Sequence, residues 1–484
     1  MWEILSAYWP HILGFVSLAL TVVAASHAAM TKDEVRAAIG WVGVIVLSPI
    51  LGPLIYAVGG INRIRRASIV SQRRQKLAYP LAQTFEVSDA EVAGAVGRRF
   101  AALKTLGDRA TRRHLKTGNA IAVLRTGDEA YAAMIAAIVA ARRSIILETY
   151  IFDRDPLGLR IADALIAAHG RGVAVRVLID AVGARYSVPS VVGYLQKGGV
   201  PVDVFNGNII IGLRLPYANL RTHRKLLIVD GRIAFAGGMN IRQGFTTEFA
   251  GDASAHDTHF RIEGPVVEDL FGVAAEDWRF AAGEELAGDT WAVTPQVATQ
   301  GPTVLTRAVA SGPDASLETN HKLLIGAFSV ARTSIRIMSP YFLPDRELIS
   351  ALVTAARRGV AVDIVVPDVN NLVLVDRAMR AQFDQVLKDG CKIWRATGSF
   401  DHSKLLAIDG AWAYVGSSNL DARSLRLNFE IDLEVLDESF ARGIEERIDA
   451  AIARARPVTL KELRARPFPL RLLDRMLWLC SPYL

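Results

Sequence analysis

The sequence predicts a duplicated α/β protein preceded by a helical hairpin that crosses a membrane. Three observations carry this reading: two long uncharged stretches near the N-terminus, a helix–strand alternation that occurs twice in the same order, and a short block with the same polar residues in both halves.

The uncharged stretches come first. From about Tyr8 to Met30 the chain is almost continuously apolar, and Ala37 to Ile61 carries no charge. Each exceeds the roughly 20 residues that cross a bilayer core as a helix. The polar link Thr31-Lys32-Asp33-Glu34-Val35-Arg36 allows only a tight turn, so residues 1–65 are expected to form two spanning helices at about 8–30 and 37–61. A cleavable signal peptide is disfavoured, because no Lys or Arg precedes the first apolar run and a second run follows directly. Arg63, Arg65, Arg66, Arg73, Arg74 and Lys76 come next. By the positive-inside rule they place the remainder of the chain, and the N-terminus, in the cytoplasm. They could also bind anionic headgroups, each contributing about 1 kcal/mol. Residues 66–116 read as a basic linker with helical character.

Composition agrees with a chain partly in lipid: 51% of residues are hydrophobic, and the net charge is +7. The two cysteines, Cys391 and Cys480, have neither metal-site nor disulfide spacing and point to a reducing compartment.

The duplication spans residues 117–300 and 301–484. Ala141-Arg142-Arg143-Ser144-Ile145-Ile146-Leu147 runs into Ile151-Phe152, and Ala331-Arg332-Thr333-Ser334-Ile335-Arg336-Ile337 runs into Tyr341-Phe342. Arg171-Gly172-Val173-Ala174-Val175 is matched by Arg358-Gly359-Val360-Ala361-Val362. Amphipathic helical stretches, Leu159 to His169 and Glu347 to Arg357, lie between these blocks. Such alternation predicts α/β layers with a largely buried sheet in each half.

The third match carries chemistry. His223-Arg224-Lys225-Leu226-Leu227-Ile228-Val229-Asp230-Gly231 is echoed by His402-Ser403-Lys404-Leu405-Leu406-Ala407-Ile408-Asp409-Gly410. Each block is followed by a strand-like run and a small-residue cluster ending in Asn240 or Asn419. Along a strand from Lys225 to Val229, His223 and Lys225 share a face and Asp230 falls on the other. Asp-Gly between apolar strands signals a hairpin. A turn centred on Asp230-Gly231 places Gly238 opposite His223, and the second turn places Ser417 opposite His402; both small residues are expected to leave a substrate pocket above the histidine.

A histidine, a cation and an amide donor, present twice, suit a phosphodiester. Lys and Asn stabilise phosphoryl oxygens. Histidine serves as nucleophile or as general acid/base near neutral pH. Two histidines fit a two-step displacement through phosphohistidine. No cofactor is expected, and no metal ligand set accompanies the pair.

These residues resemble the phospholipase D superfamily, whose signature is His-x-Lys, four residues, Asp, then a Gly/Ser-rich stretch with Asn. Within it the chain is most similar to bacterial cardiolipin synthases. Trp41, Pro49, Gly52, Pro53, Tyr56, Gly59 and Asn62 fit their second span, and Asn419-Leu420-Asp421-Ala422-Arg423-Ser424 through Leu427-Asn428-Phe429-Glu430 fits their second motif. The resemblance implies a duplicated phospholipase D-like α/β/α sandwich with pseudo-twofold halves and both histidines in one cleft. It implies phosphatidyl transfer between two phosphatidylglycerol molecules at the bacterial inner membrane. His223 is the implied nucleophile and His402 the acid/base, joined by Lys225, Lys404, Asn240 and Asn419. An acidic residue downstream typically orients each histidine; by position these are Asp257 and Glu430. Asp230 and Asp409 complete the motif and look structural.

One departure concerns the lipid. Such synthases usually continue after the first Asn with an acidic residue and a tyrosine, whereas Asn240 is followed by Ile241-Arg242-Gln243-Gly244-Phe245. A hydrolase giving phosphatidic acid, or transfer to another alcohol or from phosphatidylethanolamine, is the alternative. A nuclease is disfavoured by the spans and by the lack of an aromatic-interleaved basic stripe. A relic scaffold is disfavoured by retention of every motif residue. The stretch Arg454 to Arg475, basic with interspersed leucines, reads as a membrane-surface helix or an ordinary exposed one.

Overall fold

The computed structural model describes residues 2–32, 34–60, 85–206, 220–479 and 481. The basic cluster Arg63 to Lys76, Asn62, Cys480 and the closing Pro482-Tyr483-Leu484 lie outside them. The described residues fall into two units, one N-terminal and one comprising the rest of the chain.

In the N-terminal unit, helix α1 (Trp2–Thr31) contains one apolar segment, Tyr8–Thr31, long enough to cross a membrane. The expected second span is not one helix. Helix α2 (Val35–Leu47) stops, and the short helix α3 (Leu51–Ile55) and a π-turn at Tyr56–Gly60 follow. The break has a plain cause. Proline lacks the amide proton a helix needs and pushes its predecessor out of helical geometry. Ser48, before Pro49, accordingly sits at φ −137°, ψ 75°. Tyr56 closes the unit from inside, its hydroxyl 2.8 Å from His27 Nδ1 and its ring edge-on to Trp41.

In the second unit the first repeat supplies strands β1 (Lys116–Leu124), β2 (Ser144–Thr149), β3 (Ala174–Asp180) and β4 (Val202–Phe205). It continues with β5 (Arg221–Thr222), β6 (Leu226–Val229), β7 (Ile233–Gly237) and β8 (His259–Glu263). The second repeat supplies β9 (Val304–Ser311), β10 (Ser334–Met338), β11 (Phe342–Leu343), β12 (Ala361–Pro367) and β13 (Lys392–Ala396). It ends with β14 (Leu405–Ile408), β15 (Trp412–Gly416), β16 (Leu420–Asp421), β17 (Asn428–Leu436) and β18 (Ala455–Pro457).

The halves do not own separate sheets. A single sheet runs β18-β13-β12-β10-β14-β15-β17-β9-β1-β8-β7-β6-β2-β3-β4. Apart from the edge strand β18 the order is a palindrome about the β9–β1 seam, as a pseudo-twofold axis requires. Two antiparallel pairs, Lys116↔Thr306 and Asn119↔Val304, join the repeats there. The matched strands β2 and β10 are the cores of the two repeated Ala-Arg-x-Ser-Ile blocks, and each is parallel to the strand after its crossover helix.

Helices Asp89–Val96 and Arg98–Thr111 precede β1. Their Val92, Phe100 and Leu103 join the apolar core of the second repeat. Fully buried Arg307 on β9 fastens this layer, pairing with Asp108 at 2.5 Å and with Glu434 at 2.7 Å.

Both Asp-Gly hairpins carry one residue more than a two-residue turn. Val229 pairs with Ile233 and Ile408 with Trp412, so Asp230-Gly231-Arg232 and Asp409-Gly410-Ala411 are three-residue loops. Asp230 and Asp409 take left-handed φ values of 53° and 52°, a conformation Asp tolerates better than most residues. This extra residue shifts everything beyond the turn by one position.

Candidate active site

Both histidines lie just before the central strands β6 and β14, and each is fixed by the opposite repeat. The His223 amide donates to the Phe429 carbonyl at 2.9 Å, and the His402 amide to the His256 carbonyl at 2.7 Å. Phe429 and His256 immediately precede Glu430 and Asp257. The side chains follow the backbone: His223 Nδ1 lies 3.0 Å from Glu430 Oε2, and His402 Nδ1 lies 2.9 Å from Asp257 Oδ2. The two acids therefore serve the histidines, but exchanged between repeats, and the expectation that each orients the histidine upstream of it is corrected. The cause is the strand layout. β5 pairs in parallel with the start of β17, and His256 bridges Asp401, so each acid-bearing segment reaches across the seam.

With Nδ1 committed to a carboxylate, Nε2 of His223 is left to the cleft, whereas Nε2 of His402 lies 3.1 Å from Lys404 Nζ. Lys225 and Lys404 are buried beside the rings. Lys225 Nζ donates to the His223 carbonyl at 2.5 Å, and Lys404 Nζ lies 2.8 Å from His402 Nδ1. The Asn240 Oδ1 accepts from the Ile151 amide at 3.2 Å, which leaves its NH2 group for the cleft. Buried Asn419 Oδ1 has no protein partner among the described residues. A buried orphan polar atom facing a cleft is what a polar ligand satisfies.

Asp230 and Asp409 sit at the far ends of their strands. Asp230 Oδ1 accepts from the Arg143 and Ser144 amides at 2.7 and 3.0 Å. Asp409 Oδ1 accepts from the Thr333 and Ser334 amides at 2.7 and 2.9 Å. Both carboxylates thus tie a hairpin turn to the start of β2 or β10 and reach no reacting group.

Gly238 and Ser417 do not form the pocket, a second correction that follows from the three-residue loops. A Cβ on Gly238 would stand 2.4 Å from Asp257 Oδ1, so this glycine makes room for the carboxylate. Ser417 donates to Glu430 Oε2 at 2.6 Å. Both support the acids from behind.

The cleft itself measures about 1030 Å³ and takes its walls from both repeats. His223, His402, Asn240 and Asn419 reach it, with Tyr150 and Tyr341 beside the rings. Arg154, Arg221, Arg242 and Arg423 also line it. The arginines break the twofold symmetry. Arg423 stands where the first repeat has Gly244, and Arg242, paired with Asp153 at 2.9 Å, stands where the second has Asp421.

Two residues that sequence reasoning passed over support this geometry from the middle position of the His-x-Lys motifs. Buried Arg224 donates to the Glu430 carbonyl at 3.0 Å and forms an ion pair with Asp277. Ser403 hydrogen-bonds Thr258, next to Asp257, at 2.9 Å. The motif leaves that position free, so only the fold reveals its use.

A family model described as cardiolipin synthase, phospholipase D-like domain, matches residues 134–250 and 324–452, one segment per repeat. The chain belongs to the cardiolipin synthase family. A second model, described as phospholipase D-nuclease N-terminal, matches residues 19–60. Cardiolipin synthase A of Pseudomonas aeruginosa is 33% identical over 94% of this chain and 90% of its own length. Cardiolipin synthase A of Pectobacterium carotovorum is 31% identical over 100% of this chain and 98% of its own. Phosphatidylserine synthase of Haemophilus influenzae shares the fold with a TM-score of 0.61 at 17% identity, covering 79% of this chain and all of that one. As a cardiolipin synthase family member the chain is a phosphatidyltransferase with phospholipid substrates, and its apolar N-terminal helix points to membrane association.

The electrostatics of the family's paired site distinguish the two histidines. Burial, with the charges of Lys225 and Lys404, pushes His223 well below the ordinary imidazole value. Burial and Lys404 bring His402 down to about 4. Burial also brings Lys225 to about 7 and Lys404 to about 8, against the pull of Glu430 and Asp257. Burial raises Glu430. Burial opposes ionisation of Asp257 too, but there Lys404 and the His402 hydrogen bond prevail and hold it low. A carboxylate that stays ionised is the better partner for an imidazolium, which favours His402 as the proton carrier. An arriving phosphodiester offsets the lysine charges and raises the proton affinity of both rings.

Proposed function

We propose that this protein makes cardiolipin by moving a phosphatidyl group from one phosphatidylglycerol to a hydroxyl of another, with release of glycerol. The observation that carries the reading is the crossed pair His223–Glu430 and His402–Asp257 on one cleft, each with its own lysine.

In the first step His223 Nε2 attacks phosphorus and the P–O bond to the glycerol headgroup breaks. His402 gives its proton to the leaving oxygen. In the second step a hydroxyl of the incoming phosphatidylglycerol gives its proton to His402 and attacks phosphorus. The P–N bond then breaks, and both histidines regain their starting states. Lys225, Lys404, Asn240 and Asn419 stabilise the charge on the phosphoryl oxygens through both steps. Asp230, Asp409, Gly238 and Ser417 act only by holding this arrangement.

Residues 1–65 anchor the chain by two passes in this reading, with 66–116 leading into halves at 117–300 and 301–484. The Arg63 to Lys76 cluster supports a cytoplasmic catalytic region. The departure after Asn240 keeps a second reading in view, transfer to a different alcohol, because Arg242 there lines the cleft.

Purified protein incubated with phosphatidylglycerol alone tests the proposal. Cardiolipin and glycerol in equal amounts from the wild type, and none from His223→Ala, is the expected result. Phosphatidic acid in place of cardiolipin would make it a hydrolase.

A further inference from the structure

We propose that the rim of the cleft and the C-terminal helix Phe468–Leu479 together form a docking surface for an anionic phospholipid bilayer. This rests on the reading that the cleft takes a phospholipid, and it adds a membrane contact made by the catalytic unit itself.

The helix has two apolar faces and only one is used. Leu477 and Trp478 pack against the core of the second repeat. Buried Asp474 holds the same face inward, 2.5 Å from Arg466 and 3.4 Å from Arg377. The other face presents Phe468, Leu472, Met476 and Leu479, one stripe by helical spacing. These are 69%, 48%, 58% and 71% exposed. A stripe of this kind left in water marks an interaction surface.

Its position names the partner. The helix packs along the helix Val373–Leu387, where Arg475 meets Asp384 at 3.1 Å. Val373 and Leu374, at the start of that helix, are 64% and 53% exposed. Just before them Leu372 lines the cleft, as does Ser481 beyond the end of the C-terminal helix. Across the mouth, Tyr186 and Ser187 line the cleft from the first repeat, and the next residue, Val188, is 93% exposed. Exposed apolar side chains thus flank the opening on both sides. A second copy or a protein partner seated there would close the entrance to an acyl-chained substrate, whereas a bilayer would deliver it. The charge agrees: Arg454 to Arg475 holds seven basic residues against Glu462 and Asp474. Basic residues flanking an apolar stripe suit an anionic lipid surface.

The full chain, reconstituted into phosphatidylglycerol vesicles with doxyl-labelled lipid, provides the test. A fluorophore is placed on Met476→Cys, Leu374→Cys or, as control, Ala450→Cys on the helix Glu438–Ile452, each in a Cys480→Ser background. Quenching of the first two probes and not the third is expected. Equal quenching of all three, or none at Met476 and Leu374, would overturn the proposal. So would protection of those probes by self-association, which would make the face a contact between copies. In a second arm, Leu472→Glu combined with Met476→Glu should lower turnover of phosphatidylglycerol in vesicles by about tenfold or more, with short-chain monomeric phosphatidylglycerol affected less than about twofold. Equal losses on both substrates, or none, would contradict docking. Absence of turnover by the wild type would count against the synthase reading alone, and the quenching would still decide the docking.

Discussion

His223 and Glu430 are 207 residues apart in the chain, yet Nδ1 of one lies 3.0 Å from Oε2 of the other. His402 and Asp257 mirror the arrangement at 2.9 Å. Neither repeat can complete its own histidine–carboxylate pair, so the cleft is functional only when the sheet is continuous across the seam.

The crossing predicts which step each acid serves. Glu430→Gln should impair attack by His223, and Asp257→Asn proton transfer by His402, each lowering kcat by roughly 10²- to 10⁴-fold. A substrate with a nitrophenyl headgroup, which needs no proton on leaving, separates them. Formation of the covalent intermediate should recover in Asp257→Asn and not in Glu430→Gln. Recovery in the opposite variant would mean that the acids act within their own repeats.

The buried lysines set an alkaline limit. Burial lowers both, to about 7 for Lys225 and about 8 for Lys404, so they lose charge just above neutrality. Binding of an anionic diester should weaken there, and kcat/KM should begin to fall between pH 7 and 8. The stability of the free protein runs the other way. A lysine depressed in the fold is bound to fewer protons than in the unfolded chain between its folded value and 10.5, so these two groups make stability rise with pH over that window. Thermal melts without lipid, set beside kcat/KM profiles, check both signs.

Asp409 should matter to stability and not to chemistry. Its carboxylate accepts three backbone amides and meets Arg99 at 2.8 Å. Asp409→Ala removes a charged acceptor from three amides that are exposed or half-buried, at a cost of about 1–2 kcal/mol. Its burial opposes ionisation, but the amides hold its pKa below the ordinary value. Its contribution is therefore present above the unfolded value and lost as pH falls through the folded one. A lowered Tm with kcat changed by less than about twofold is expected of the folded variant. A large loss of kcat would give this residue a direct role.

Arg423 should discriminate between acceptors. It lines the cleft with its charge acting on the nearby Asp421 carboxylate, and its position is glycine in the other repeat. An acceptor lipid carries its own phosphate; ethanol does not. Arg423→Gln should cut cardiolipin formation by about tenfold or more while transfer to ethanol from the same donor falls less. Equal losses would place Arg423 on the donor.

The motif residues of both repeats are legible in the sequence. The duplicated His, Lys, Asp and Asn repeat at fixed local spacing, and local spacing survives in a linear chain. The crossed acids were not legible, because exchange across the seam depends on pairings such as β5 with β17 that no local pattern encodes. The pocket at Gly238 and Ser417 failed on one residue. Asp-Gly signals a turn, but nothing in Arg232 or Ala411 announces that it joins the loop. Pro49 stands in the second apolar run, where composition alone reads as one span although the residue before a proline, here Ser48, is pushed out of helical geometry. Arg224 could not be singled out at all, because its partners Asp277 and Glu430 are distant in sequence.

The division of labour between the histidines is the centre of the account, and trapping the covalent intermediate tests it most directly. Enzyme mixed with phosphorus-labelled phosphatidylglycerol, quenched in alkali and mapped by peptide, should carry label on His223, with more accumulating in His402→Ala when the nitrophenyl substrate is used. Label on His402 instead, or turnover with no labelled histidine in either protein, would contradict it.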